Sequence, residues 1–387
     1  MKFGLITLLV VLSTWCQAQF YPPFGPEIKV NITGLSFDAM EPFISADGNT
    51  LFFNSLNSGG NTNLYYASKV DDTTFTFEGL VEGTYDPTPD HLDAVASLDS
   101  LNNFFWVSLR GYPAPMENLH LGNYNDGAVS DCTRVYGDFN RYEFAYPFGW
   151  LIMDAAIDYS GEFLYFCNAK FDFVGLTCAG VPCESKIGVA AKVNDSTFNK
   201  LPSSEATFAL INDTVNYIIY APQVTKDGLE IYFTRLLKAS FNTEICVSVR
   251  NSVEEPFSAP LVLHSNLGFV PEAASPTLDK QKIYYHQKDE TGIFHIYLRN
   301  RIVVASDSEF LEADKLQVYP NPTSGMLEIN LPIINESFTC QIHDAFGKEI
   351  YTITDNTSID LSLFSNGIYF LSVIQNDKKW VTKIIKE

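Results

Sequence analysis

Four carboxylates recur at nearly one place in a repeated pattern. Glu41, Asp93 and Asp154 each head a short apolar run that ends in a turn, and Glu272 stands one position off the same register. Paired acids at a suitable separation are what glycosidic cleavage needs: one donates a proton to the leaving oxygen and the other acts as base or nucleophile. Glu41, Asp93 and Asp154 are therefore the candidate catalytic residues. A plainer reading makes the acid part of the repeat itself, capping a strand end or holding a cation, and it carries the greater weight. A feature shared by every repeat is poor evidence for a unique site.

Other chemistry finds little support. The chain has no Gly-x-Ser-x-Gly, His-Glu-x-x-His, phosphate-binding loop or dinucleotide fingerprint, so no cofactor or metal is expected. The histidines, His91, His120, His264, His286, His295 and His343, are scattered, and His286 and His295 read as packed or surface residues of one repeat. Two aromatic, proline-rich stretches, Tyr112–Met116 and Tyr142–Trp150, and an Asn/Ser/Gly-rich loop, Asn54–Asn63, are candidate binding loops. Exposed rings stack on sugars or anchor peptides.

The elements that position these residues are strands. Charged residues make up only 18% of the chain and aromatics 14%, with 30 Phe and 20 Tyr, a composition that suits pleated, half-buried surfaces. One unit repeats: small apolar residues, then Asp-Gly or a relative, then a bulky aromatic run. Its copies are Glu41–Phe53, Asp93–Trp106, Asp154–Phe166, Ala221–Phe233 and, more eroded, Ala273–Tyr285. Each predicts a hairpin, with Asp-Gly supplying the positive φ of a tight turn. Third strands are expected at Asn63–Ala67, Lys186–Ala190, Glu244–Ser248 and Phe294–Leu298. Aligned on their turns the copies stand 52, about 60, 67 and 52 residues apart. Sheets that cannot bury both faces alone must close into a ring.

These units resemble the WD40-like (PD40) repeats of TolB-type β-propellers, over about two thirds of the chain. The resemblance implies an all-β fold with five blades visible. A sixth is possible in the stretch Met116–Trp150, and Glu27–Val30 could pair with the last blade to close the ring. It also implies that the heads of the inner strands converge on the axial channel, where five-bladed glycoside hydrolases hold their catalytic carboxylates. Those families do not generally carry Asp-Gly repeats. Sialidase Asp-boxes need Ser-x-Asp-x-Gly, which Ser45-Ala46-Asp47-Gly48 lacks, and no arginine triad is evident.

The chain begins with a tripartite leader, Met1-Lys2 followed by the apolar Gly4–Leu12, with cleavage expected after Ala18. The bulky Trp15 argues against lipidation of Cys16. No other apolar stretch reaches membrane-spanning length. Among the remaining cysteines, Cys178 and Cys183 bracket a Gly-Val-Pro turn and are the candidate disulfide. The spacing does not suit zinc, and no histidine lies nearby. A formal net charge of −21 disfavours nucleic acid and anionic membranes as partners.

After an acidic linker over 305–314, residues 315–387 alternate short strands and turns, as a small Ig-like β-sandwich does. Tyr319-Pro320-Asn321-Pro322 with Gly325, the turn Asp344…Gly347-Lys348, the strand Gly367-Ile368-Tyr369 and the basic end occur in that order. This region resembles the type A C-terminal sorting domain of the type IX secretion system. The resemblance implies delivery through the periplasm to the exterior or surface of a Gram-negative bacterium, with the secretion machinery as a partner. The organisation expected is thus a signal peptide over 1–18, a propeller over 19–304, a linker and a sorting domain. The propeller is expected to bind a glycan or protein. A secreted polysaccharide hydrolase and a structural surface component are the alternatives.

Overall fold

The computed structural model describes residues 21–57, 61–86, 88, 91–178, 180–302, 316–330, 337–345, 347–375 and 378–387. The expected leader and linker lie outside the described residues. Among the described residues, no helix is long and apolar enough to cross a membrane.

Each turn-bearing unit folds as one antiparallel sheet, and there are five. Blade 1 is Met40–Ile44, Thr50–Asn54, Leu64–Asp71 and Thr74–Leu80. Blade 2 is Asp93–Leu98, Asn103–Ser108, Leu119–Asn125 and Ala128–Arg134. Blade 3 is Phe148–Ile157, Phe163–Asp172, Glu184–Asn194 and Thr197–Lys200, with a short added strand, Phe144–Ala145. Blade 4 is Tyr217–Val224, Glu230–Leu237, Asn242–Val249 and Leu261–Ser265. Blade 5 is Glu272–Pro276, Lys282–Lys288 and Phe294–Asn300. The first strands meet one another in the cyclic order 1–2–3–4–5–1, so the sheets form a ring with those strands innermost.

The stretch Met116–Trp150 holds no sixth blade. It supplies the two outer strands of blade 2 and the added strand of blade 3. The ring is closed by Ile28–Lys29, which becomes the outermost strand of blade 5 through Ile28↔Leu298 and Lys29↔Tyr297. The chain then crosses to blade 1, where Asn31–Thr33 runs parallel to Thr74–Thr76. One segment therefore ties the last blade to the first.

Second strands are aromatic because both of their faces are buried. Successive side chains point to opposite faces, so Phe52 packs with Phe104 and Trp106 between blades 1 and 2. Its neighbours Leu51 and Phe53 pack with Tyr284 and Ile296 between blades 5 and 1. Likewise Phe105 and Phe166 fill the space between blades 2 and 3, and Tyr165 and Phe233 that between blades 3 and 4. Each such ring contributes roughly 1.5–3 kcal/mol of burial free energy.

Phe24–Ile302 forms one compact unit. The C-terminal unit is described separately. It has a three-stranded sheet of Gln317–Tyr319, Met326–Asn330 and Ser358–Asp360, and a four-stranded sheet of Thr339–Asp344, Glu349–Thr354, Gly367–Gln375 and Lys378–Lys386. Leu327, Ile329 and Ile359 of one sheet share a core with Cys340, Ile342, Leu371 and Ile384 of the other. This is a small β-sandwich.

Candidate functional site

Every inner strand breaks register, four of them at the same place and that of blade 3 just upstream of it. The breaks fall between Met40 and Phe43, Ala94 and Ser97, Ile152 and Asp154, Tyr220 and Gln223, and Glu272 and Ser275. These are β-bulges, which re-aim the strand locally. In four blades the first bulged residue has positive φ although it is not glycine: Glu41 (51°), Val95 (58°), Ala221 (52°) and Ala273 (55°). Such a backbone costs energy for an L-residue and persists only where its surroundings enforce it.

The enforcement is a hydrogen bond from each bulged amide to the blade before it. Glu41 donates to His286 Nδ1 at 2.9 Å, Val95 to Asn54 Oδ1 at 3.3 Å, Ala221 to Asp154 Oδ2 at 3.2 Å and Ala273 to Thr234 Oγ1 at 2.9 Å. Neighbouring blades are thereby stitched together near the axis.

The turns correct the sequence register. Inner strands end where Ser45, Asp99, Asp158, Thr225 and Thr277 donate their amides to Thr50, Asn103, Phe163, Glu230 and Lys282. Counting back four residues gives Glu41, Val95, Asp154, Ala221 and Ala273. Glu41 and Asp154 are therefore equivalent, and Asp93 is not. The error arises at Asp99, which fills the Ser/Thr place of the turn and not the Asp place held by Asp47. Asp99 accepts the amides of Leu101 and Asn103 directly, whereas Ser45 and Thr225 hand their hydroxyls to Asp47 and Asp227.

The axial cavity is lined by Glu41, Val95, Asp154, Ala221 and Ala273, one from each blade, with Pro42, Pro222 and Gln223. About 10 Å³ is open to the centre of a water molecule, room for about one water. Asp93 lies outside this lining. It is buried beside Arg110, its Oδ1 3.6 Å from Nη2, and Arg110 also reaches Asp86 at 3.1 Å. Burial raises the Asp93 carboxyl above its ordinary range.

Glu272, one residue ahead of its bulge, does join the axial group. Tyr220 donates its hydroxyl to Glu272 Oε1. Glu272 Oε2 stands 3.3 Å from Nε2 of the buried His286. Because His286 Nδ1 accepts the Glu41 amide, the neutral ring carries its proton on Nε2, facing Glu272. Asn57 donates to Glu41 Oε1 at 3.0 Å, while Glu41 Oε2 is buried with no hydrogen-bond partner among the described residues. Burial first, then the charges of Asp154 and Glu272, push the Glu41 carboxyl well above the carboxylate range. Burial and Glu272 push Asp154 up to about 7, against the bond from the Ala221 amide. Burial and Glu272 also raise the Tyr220 hydroxyl.

Sequence reasoning missed Tyr220 and took His286 as a packed or surface residue. The signal for the acids was there: a carboxylate four residues before the first turn residue, at Glu41 and Asp154 only.

A second candidate surface crowns blade 3. Phe148–Ile157 and Phe163–Asp172 run longer than the corresponding strands elsewhere, and Phe144–Ala145 folds back on Phe148–Gly149. Rings of Tyr112, Phe144 and Phe173 meet with centroids 5.7–6.2 Å apart. Tyr112 is tied down by its hydroxyl to the Trp150 carbonyl at 2.7 Å. Gly149 is required beneath them, since a Cβ there would come within 2.8 Å of the Phe144 and Phe173 rings and the Tyr112 hydroxyl. Phe144, Tyr146 and Phe173 remain 42%, 76% and 45% exposed. The following loop is clipped by a disulfide between Cys178 and Cys183, whose Cα atoms are 5.1 Å apart.

The fold is that of a five-bladed β-propeller with a β-sandwich at its C-terminus. Residues 317–387 match the family described as the secretion system C-terminal sorting domain. The chain thus carries a type IX sorting domain and is secreted or displayed at the cell surface. No curated protein sequence matches the chain. Among solved structures, it is similar to an endo-arabinase from Bacteroides thetaiotaomicron, with 12% identity, 73% of this chain and 99% of that one covered, and a TM-score of 0.44. It is also similar to a family 117 glycoside hydrolase from Zobellia galactanivorans (12% identity, 73% and 90% covered, TM-score 0.46). A third is an α-L-arabinofuranosidase from Podospora anserina (11% identity, 72% and 96% covered, TM-score 0.43).

Within the sorting domain, Asp344 accepts the Gly347 amide on its carbonyl and the Lys348 amide on its carboxylate, both at 3.0 Å. Tyr369 donates its hydroxyl to the Ser365 carbonyl at 2.7 Å. A Cβ on Gly325 would meet Ser362 Oγ at 2.7 Å.

Proposed function

We propose that this exported propeller works by recognition, binding a glycan or a protein through the aromatic crown of blade 3. The observation that carries this reading is the exposure of Phe144, Tyr146 and Phe173 around a cluster whose base is fixed by Tyr112 and Gly149. Large exposed rings on a rigid support are costly in water and are what a binding surface needs. The narrow axial cavity lined by Glu41 and Asp154, with room for about one water, supports recognition at the crown rather than at the axis. The repeated Ser/Thr-x-Asp turns at Ser45, Thr225 and Thr277 support kinship with PD40-like repeats.

A secreted hydrolase is the second reading. Glu41 and Asp154 favour it, as equivalent acids of different blades held protonated to higher pH than ordinary carboxylates. The test incubates the secreted protein with a panel of polysaccharides and follows both retention and release of reducing ends. Retention without release, weakened at least about tenfold by Tyr146→Ala with Phe173→Ala, supports recognition. Release abolished by Glu41→Gln and Asp154→Asn, but not by Asp93→Asn, supports the hydrolase.

A further inference from the structure

The opening motif of the sorting domain holds the end of the chain. Proline has no amide hydrogen, so Pro320 and Pro322 cannot donate to the terminal strand, while Tyr319 pairs with Glu328 of another strand. Asn321 makes up the loss with its side chain. Its Nδ2 donates to the Lys383 carbonyl at 2.7 Å and its Oδ1 accepts the Ile385 amide at 2.8 Å. One side-chain amide thereby satisfies two groups of the terminal strand that a neighbouring strand would otherwise pair.

Backbone pairing resumes two residues later. Thr323 donates to the Ile385 carbonyl at 2.8 Å and accepts the Glu387 amide at 2.9 Å. Its hydroxyl fixes the turn, donating to the Met326 carbonyl at 2.8 Å and accepting the Gly325 amide at 3.1 Å. The other edge of the terminal strand pairs with Gly367–Gln375, through Gly367↔Lys386 and Tyr369↔Ile384. Asn321 and Lys383 are both exposed, so the clasp lies on the surface of the sandwich.

We propose that Asn321 is a positioning residue for export: it latches the terminal strand, and the secretion machinery recognises that strand in its latched state. The inference rests on the sorting-domain match and adds to it a named contact, Asn321 on the terminal strand.

The test uses the full chain in cells that carry type IX machinery, comparing Asn321→Ala, Asn321→Asp, Ser337→Ala and a deletion of residues 316–387. Ser337 bonds Asp355, away from the terminal strand, and serves as the control. Two quantities are read: the fraction released from the periplasm, and hydrogen exchange at residues 383–387 of the purified protein. Asn321→Ala is expected to speed that exchange roughly fivefold, as losing such bonds does, and to cut release several-fold. Asn321→Asp keeps an acceptor for Ile385 but no donor for Lys383 and should fall between. Ser337→Ala should match the wild type in both.

Faster exchange with unchanged release overturns the proposal, as does unchanged exchange in Asn321→Ala. Should Asn321→Ala unfold the sandwich, exchange rises at Leu371 and Val373 as well, and Asn321→Asp then decides by the same criteria. Normal release of the deletion would instead overturn the sorting assignment itself.

Discussion

The amide of Glu41 donates to Nδ1 of His286 at 2.9 Å, across the junction where blade 5 meets blade 1. These residues are 245 positions apart in the chain, and the bond between them is partly buried near the propeller axis. It holds Glu41 in its left-handed conformation and sets the proton of His286 toward Glu272. The same device recurs at Val95, Ala221 and Ala273 with three different acceptors, Asn54, Asp154 and Thr234. The ring is thus fastened at its centre by side chains that each receive the amide of a neighbouring blade.

His286→Ala removes the acceptor and leaves the partly buried Glu41 amide without that partner. A buried amide so orphaned costs about 1–3 kcal/mol. In a chemical melt the unfolding free energy of the propeller should fall by about that amount, with a lower denaturant midpoint than wild type. His286→Asn, which restores an acceptor, should recover part of the loss.

Ala273 has φ of 55°, where glycine is free of the Cβ penalty. Ala273→Gly should therefore raise stability by about 1 kcal/mol, since the relief of strain exceeds the added chain entropy. A denaturant midpoint that falls would show that the Ala273 methyl does more in packing than its backbone strain removes.

The axial acids give the propeller a pH dependence of known sign. Asp154 has its folded pKa raised to about 7 from 3.8 by burial and the Glu272 charge, and Glu41 is raised in the same direction. The folded state then holds more protons than the unfolded one between those values, so stability contributed by Asp154 is full at low pH. It is lost as pH rises from about 4 to about 7. Asp154→Asn keeps an oxygen for the Ala221 amide and should flatten this decline, leaving the variant more stable than wild type at pH ~8. Melts across that range check it.

Arg110 faces two buried carboxylates, Asp86 and Asp93, at 3.1 and 3.6 Å. Arg110→Met removes their shared cation and should cost on the order of 2 kcal/mol, less than for a fully buried pair because the guanidinium is partly exposed. Asp93→Asn in the same background should recover stability, as a double-mutant cycle would register.

The repeats were readable because turn chemistry and aromatic second strands recur together, and the closing role of the segment around Ile28 followed from the need to complete blade 5. The site was less readable. Asp99 replaces Ser at the start of its turn, which moved the alignment by two residues and put Asp93 where Val95 belongs. Tyr220 and His286 reach the axis through bulges and across a blade junction, and neither leaves a local signature. The aromatic stretch Tyr142–Trp150 was visible, but its folding back as an extension of blade 3 depends on Gly149 packing under Tyr112 and Phe173, residues distant in sequence.

The most direct test of the account is the paired measurement of retention and reducing-end release on a polysaccharide panel, with wild type, Tyr146→Ala/Phe173→Ala and Glu41→Gln compared. Recognition predicts retention without release, lost in the aromatic double variant and kept in Glu41→Gln. Release of reducing ends by wild type that Glu41→Gln abolishes would contradict it and make the axial acids the working site.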